Sequence, residues 1–144
     1  MTSTTTEHTA RKSVWLHGLA ATIVAAAVIT GLAYVASRAG VSFVDPAKPE
    51  IPIPMSGFAT LTAGFSLIGV ALAAILARTA RRPRSTFVRT TLVLLALSIV
   101  PDFVKIPNLS PDFDTATTWT LAGLHLVAAA IVIPVLASRL AEER

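Results

Sequence analysis

Residues 58–77 read FATLTAGFSLIGVALAAILA, a run of 20 residues without a charged side chain. At about 1.5 Å per residue, a helix of this length extends about 30 Å, which matches the hydrocarbon core of a bilayer. Three further apolar runs predict helices at about 14–37, 87–106 and 116–138. The sequence therefore predicts an all-α fold, an integral membrane four-helix bundle.

Both ends of the chain are polar and are predicted to lie outside the bundle. Residues 1–12 are rich in threonine and are predicted to form a disordered cytoplasmic N-terminus. The next apolar run is longer than the roughly 7–15 residues of a signal-peptide core, so it is predicted to be a retained anchor. We expect one transmembrane domain, residues 13–140, followed by a cytoplasmic tail at 141–144.

The basic residues are distributed unevenly between the two ends of the predicted bundle. Nine of the 12 lysine and arginine residues fall at the end that carries both termini: Arg11, Lys12, Arg78, Arg81, Arg82, Arg84, Arg89, Arg139 and Arg144. The opposite end has Arg38, Lys48 and Lys105. Because cytoplasmic loops are enriched in lysine and arginine, both termini are predicted to be cytoplasmic.

The connection between the second and third helices is rich in arginine, reading ARTARRPR at residues 77–84. The pattern is typical of a topology signal, and it is also compatible with a site for anionic lipid head groups. The candidate head-group residues are Arg78, Arg81, Arg82 and Arg84. No nucleic-acid partner is predicted, because aromatic residues do not interleave the arginines.

The sequence offers few groups for catalysis or metal binding. It contains no cysteine, which excludes disulfides and thiolate chemistry. His8, His17 and His125 are too dispersed in depth to predict a metal site, and neither a hydrolase nor a nucleotide-binding motif is present. We predict no cofactor, and an enzyme is the less favoured class.

The third apolar run ends in LALSIVPDFVKIP, residues 95–107, with a proline and an acid inside it. A helix that stopped at Val100 would be too short to cross the membrane. We therefore predict that helix three continues through Pro101, with a kink there, to about Ile106. The hydroxyl of Ser98 is expected to satisfy the backbone carbonyl that the proline frees.

This reading places Asp102 inside the membrane, at a depth close to that of His125. Counted along the helices, the two residues lie about 18 Å and 16 Å from the inner side. A charge facing lipid is costly, so both are expected to face the bundle interior. Together with Thr118 and Ser98 they form a candidate intramembrane polar site. The alternative is an interfacial Asp102, satisfied by water or by Lys105, with His125 a packing residue.

The first outer connection is unusually apolar for a free loop. Phe43, Ile51 and Ile53 are expected to pack on the outer ends of the helices as a cap. For the fourth helix, Ser110 before Pro111 resembles an N-cap, and Asp114 is a second candidate.

Two phrases, LSIVPDF at 97–103 and LAGLHLVAAAIVIPVLASRL at 121–140, resemble an actinobacterial family of small four-helix membrane proteins of unknown function. The similarity extends over nearly the whole chain. It implies the fold and a location in the bacterial plasma membrane as a multi-pass protein. It implies no activity, cofactor or catalytic residue.

Three functional hypotheses remain. The first is a non-enzymatic membrane protein that binds a lipid, an apolar small molecule or a partner helix, including that of a second copy in a homo-oligomer. The second is a proton-coupled small-molecule transporter, although the first helix has no acid between Val14 and Ser37. The third is a membrane enzyme that uses Asp102 and His125 as acid and base.

Overall fold

The computed structural model describes residues 3–44, 52–104 and 113–140, with side chains from Val14 onward. These residues form four helices: α1 Ser3–Arg38, α2 Met55–Thr79, α3 Pro83–Phe103 and α4 Thr115–Ala137. In α1 the apolar segment is Val14–Arg38, and each of the four helices is long and apolar enough to cross a membrane. The predicted all-α architecture of four such helices is confirmed.

Two helix boundaries differ clearly from the prediction. α1 begins at Ser3 rather than near residue 14, so the helix takes in most of the stretch predicted to be disordered. Once an apolar segment has formed a helix, each further residue adds a hydrogen bond at little cost, which lets polar residues extend it. α3 ends at Phe103 rather than near Ile106, which lies outside the described residues, and Val104 already has an extended backbone.

The four helices are arranged in a ring in chain order, so that α1 packs between α2 and α4. Within the described ranges the backbones of α1 and α3 are not adjacent, whereas α2 and α4 meet across the middle. α3 buries the smallest share of its apolar segment of the four helices. It is therefore the most peripheral helix of the bundle.

The interior divides into two clusters along the bundle axis. The inner core, at the end that carries the termini, is built from all four helices and includes Val14, Val70, Phe87 and Leu136. The outer core takes its buried residues from α1, α2, α4 and the first connection: Ile29, Ala33, Phe43, Phe58 and Leu124. Since no α3 residue is in the outer core, α3 is held at its outer end by other contacts.

Three helices approach one another closely at Gly18 of α1. A Cβ atom placed on Gly18 would lie 2.6 Å from Cγ2 and 2.9 Å from Cγ1 of Val70, and 3.2 Å from Cδ2 of Leu136. Both neighbouring side chains are completely buried. A residue without a side chain is thus what allows α1, α2 and α4 to meet here.

The outer end of the bundle is closed by the outer cap, which we define as residues 41–44 and 52–54. The N–H of Ile53 donates to the carbonyl of Phe43 at 2.8 Å. The hydroxyl of Thr117 in α4 donates to the carbonyl of Ser42 at 2.9 Å. Phe43 is buried and Ile53 packs against the outer core, which confirms the predicted cap for these two residues. Ile51 lies outside the described residues.

Candidate functional site

The structure brings Asp102 and His125 together. α3 continues through Pro101 as predicted, and Asp102 is its second-to-last residue. The Nδ1 atom of His125 lies 3.5 Å from Oδ2 of Asp102. By the helix rise, His125 is about 15 Å from the outer end of α4 and about 18 Å from its inner end. The predicted approach of these two side chains is confirmed, and we call them the polar pair.

A second contact fixes the orientation of the imidazole ring. Nδ1 of His125 lies 2.9 Å from the carbonyl oxygen of Leu121, one turn earlier in α4. A carbonyl oxygen can only accept, so Nδ1 must carry the hydrogen in this arrangement. The other nitrogen, Nε2, is then the one whose protonation decides the charge of the ring. The His125 side chain is 37% exposed, whereas that of Asp102 is only 13% exposed.

The carboxylate of Asp102 is incompletely satisfied. Its Oδ2 atom is buried and accepts no hydrogen bond from the residues that the structure describes. The His125 nitrogen nearest to it already donates to Leu121. An unsatisfied buried acceptor costs about 1–3 kcal/mol, and more when it is charged, so such an atom needs an explanation. Lys105, the other predicted partner, lies outside the described residues.

The other two residues of the candidate site do not join the polar pair. Thr118 is buried on the same face of α4 but lies about 10 Å further outward. Ser98 is exposed, and its hydroxyl donates to the carbonyl of Leu95 at 2.8 Å. The predicted bond to the carbonyl that Pro101 frees, which is that of Leu97, is therefore wrong. A serine hydroxyl in a helix reaches the carbonyls three or four residues earlier, and not the one directly before it.

Two aromatic residues near the polar pair were missed by the sequence reasoning. Phe103, which follows Asp102, meets Trp119 of α4 edge to face, with ring centroids 4.9 Å apart. Both rings are exposed on the outside of the bundle. The available signal was the position of Phe103 beside the acid. Which residue of α4 it meets depends on the rotation of both helices, which apolar composition does not define.

The four candidate head-group arginines lie at the inner end of the bundle. Arg78 is in the last turn of α2, Arg81 and Arg82 are in the linker, and Arg84 is in the first turn of α3. All four side chains are exposed. Arg78 interacts favourably with the negative end of the α2 dipole.

Asp114 begins α4, as the second of the two predicted caps. Its Oδ1 atom accepts a hydrogen bond from the N–H of Thr117 at 2.6 Å. This bond stabilises the charged form and lowers the pKa of Asp114 below its ordinary value. The alternative cap, Ser110 before Pro111, lies outside the described residues. Within the described ranges, no group of three acidic or histidine residues is placed to hold a metal ion.

These features define an all-α protein of four apolar helices, consistent with a multi-pass membrane protein. The chain belongs to DUF6069, a family of unknown function whose model matches residues 9–142. The match includes both phrases on which the resemblance was based. No curated protein and no solved structure matches the chain.

Proposed function

We propose that the protein is a non-enzymatic membrane protein of the bacterial plasma membrane that binds a small amphipathic molecule or lipid at the polar pair. One observation carries the proposal: a buried carboxylate oxygen without a hydrogen-bond donor lies beside a partly exposed imidazole. A purely structural pair would be expected to satisfy both groups. Here an acceptor remains for a donor from outside the described chain.

The chemistry of the pair selects the kind of ligand. In neutral His125 the Nε2 atom is an acceptor, and the Asp102 carboxylate is also an acceptor. The site therefore favours a hydroxyl or amine group that donates hydrogen bonds. The neighbouring Phe103 and Trp119 rings are apolar and exposed, so they favour an apolar body next to that group.

Trp119 provides a fluorescent reporter for this proposal. With Trp15→Phe, which removes the other tryptophan, a brominated long-chain alcohol should quench Trp119 saturably in detergent or nanodiscs. The matching brominated alkane, which lacks the hydroxyl, should quench only in proportion to its concentration. Asp102→Asn should weaken binding of the alcohol at least about tenfold, because hydrogen bonds to charged groups contribute about 1.5–3 kcal/mol.

Ser98→Ala is the matched control, since Ser98 is on the same helix but its hydroxyl donates to the carbonyl of Leu95 in that helix. It should leave the quenching curve unchanged. Equal quenching by the alcohol and the alkane, or an Asp102→Asn curve identical to the wild type, would show simple partitioning into lipid and would contradict the proposed site.

The proposed topology places both termini in the cytoplasm, on the support of the uneven basic residues. The absence of cysteine allows single reporters to be introduced. In intact cells an impermeant maleimide should label Ser42→Cys and should not label Arg81→Cys until the membrane is opened. The reverse pattern would place the termini outside.

Membrane lipids are the second class of proposed partner. The four exposed arginines at the inner end support contact with anionic head groups, each contributing about 1 kcal/mol near the surface. We expect the Arg81→Gln variant to retain less anionic lipid than the wild type in native mass spectra. Unchanged retention would leave these arginines as a topology signal.

The contact between carboxylate and imidazole also supports a second candidate function, proton-coupled transport. Vesicles that contain a pH-sensitive dye distinguish the two. Movement of protons together with the alcohol probe, abolished by Asp102→Asn, would indicate transport. Binding without proton movement is the result expected for a non-enzymatic binding protein.

A further inference from the structure

A groove runs along the outside of the bundle between α1 and α2, away from the polar pair. Its volume is about 490 Å³, within the range of about 300–1,000 Å³ that is typical of ligand sites. We call it the α1–α2 groove. Its lining is apolar apart from two hydroxyls and includes Ala27, Gly31, Tyr34, Met55 and Ala59.

The groove exists because its lining residues on α1 are small. A Cβ atom placed on Gly31 would meet nothing within 4 Å, so no neighbouring side chain fills this position. Ala27 lies one turn earlier and is exposed. The result is a shallow apolar groove that is open on the side that would face lipid.

The outer end of the groove is polar. Ala27, Gly31, Tyr34 and Arg38 are spaced by four, three and four residues, which places them on one stripe of α1. Arg38 is the last residue of α1, about 10 Å beyond Gly31 by the helix rise. The side chains of Tyr34 and Arg38 are both exposed. The α1–α2 groove thus has a phenol in its lining and a guanidinium one helical turn beyond that phenol.

We propose that the α1–α2 groove holds one acyl chain of an anionic phospholipid from the leaflet opposite the termini, with its phosphate at Arg38. The apolar α1–α2 groove accommodates an acyl chain, and a guanidinium binds a phosphate with two parallel hydrogen bonds. A second copy of the protein fits this surface less well. Parallel copies paired by two-fold symmetry through the groove would bring two Arg38 side chains to the same level, where like charges repel.

Photolabelling of the full-length protein tests the site. The protein is placed in phosphatidylcholine vesicles that contain a small fraction of phosphatidylglycerol with a diazirine in one acyl chain. After illumination, mass spectrometry of peptides should show label concentrated at residues 26–34 and 55–59. Gly31→Leu, which fills the groove, should reduce this label at least about fivefold.

Gly64→Leu is the matched control, because Gly64 is an exposed glycine of α2 whose Cβ would also meet nothing within 4 Å. It should leave the groove label unchanged. Even labelling of all helix surfaces, or equal labelling of the Gly31→Leu variant, would overturn the site. Crosslinked dimers in place of lipid adducts would identify a second copy as the occupant and would also overturn it.

The head group is tested separately from the chain. Arg38→Gln should remove the preference for phosphatidylglycerol over a phosphatidylcholine probe with the same diazirine chain, a factor of about five for one basic residue at an anionic surface. Arg139 is an exposed arginine at the other end of the bundle, and Arg139→Gln should leave this preference unchanged. An unchanged preference in Arg38→Gln would overturn the assignment of the phosphate to Arg38.

Discussion

Gly18 provides the sharpest test of how the bundle is packed, through the substitution Gly18→Ala. The added methyl group would lie 2.6 Å and 2.9 Å from the two methyl groups of Val70. Val70 is completely buried, and a β-branched side chain in a helix has essentially one rotamer, so it is unable to turn away. α1 and α2 must therefore separate, and their contacts weaken.

The magnitude follows from two opposing effects. Overpacking of a core costs about 1–3 kcal/mol. Alanine in a helix is more favourable than glycine by about 0.5–1 kcal/mol. We expect Gly18→Ala to lower the free energy of unfolding by about 1 kcal/mol. Gly31→Ala gains the same helix propensity without a clash and should raise it by about 0.5–1 kcal/mol.

Steric trapping or denaturant titration in bicelles measures both variants against the wild type. A further variant identifies the cause: in a Val70→Ala background, Gly18→Ala should become neutral or stabilising, because the methyl then enters space that Val70 has left. If Gly18→Ala and Gly31→Ala change stability equally, or if Val70→Ala leaves the effect unaltered, the close approach at Gly18 is not what limits the packing.

Three further outcomes are expected. Asp102→Asn should shift the NMR resonances of the His125 ring, because the two side chains lie 3.5 Å apart; unchanged resonances would contradict the direct contact. Thr117→Val should lower the free energy of unfolding by about 1 kcal/mol and speed hydrogen exchange in the outer cap. Thr120→Val is the control: the Thr120 hydroxyl bonds within α4, so this variant should leave exchange in the cap unchanged. Because the pKa of Asp114 is lowered in the folded protein, its cap stabilises α4 fully above the ordinary pKa of 3.8, and this stabilisation is lost as the pH falls through the lower folded pKa. Protection of the Thr117 amide from hydrogen exchange should therefore decrease only in that acidic range. Protection that does not change with acid would contradict the cap.

The number of helices and the meeting of Asp102 with His125 were predictable because both depend on distance along a helix axis. Apolar length gives the span, and a fixed rise per residue gives the depth of each side chain. The proline at 101 was also correctly placed inside α3, since a shorter helix would not cross the membrane. Depth needs no knowledge of how the helices are rotated, and the cost of a charge that faces lipid predicted the inward orientation of Asp102 and His125.

Features that depend on rotation were not predictable. Small residues are spread through all the apolar runs, so nothing in the sequence distinguishes Gly18, which touches two helices, from Gly31, which faces open space. The contact of Phe103 with Trp119 was not predictable for the same reason, because it depends on how α3 and α4 are rotated about their axes. Ser98 was assigned the wrong carbonyl because the length of its side chain, and not its position next to the proline, decides what it reaches.

The bond between Thr117 and Ser42 joins residues 75 positions apart in the chain, which has a consequence for synthesis. Ribosomes add about 5–20 residues per second, so about 4–15 s pass between the emergence of the two partners. During this interval the first connection has been made, but the helix that holds it is still absent. Phe43 can meet Phe58 of α2 before then, with ring centroids 4.9 Å apart, but the bond from Thr117 to the carbonyl of Ser42 forms only once α4 has been made.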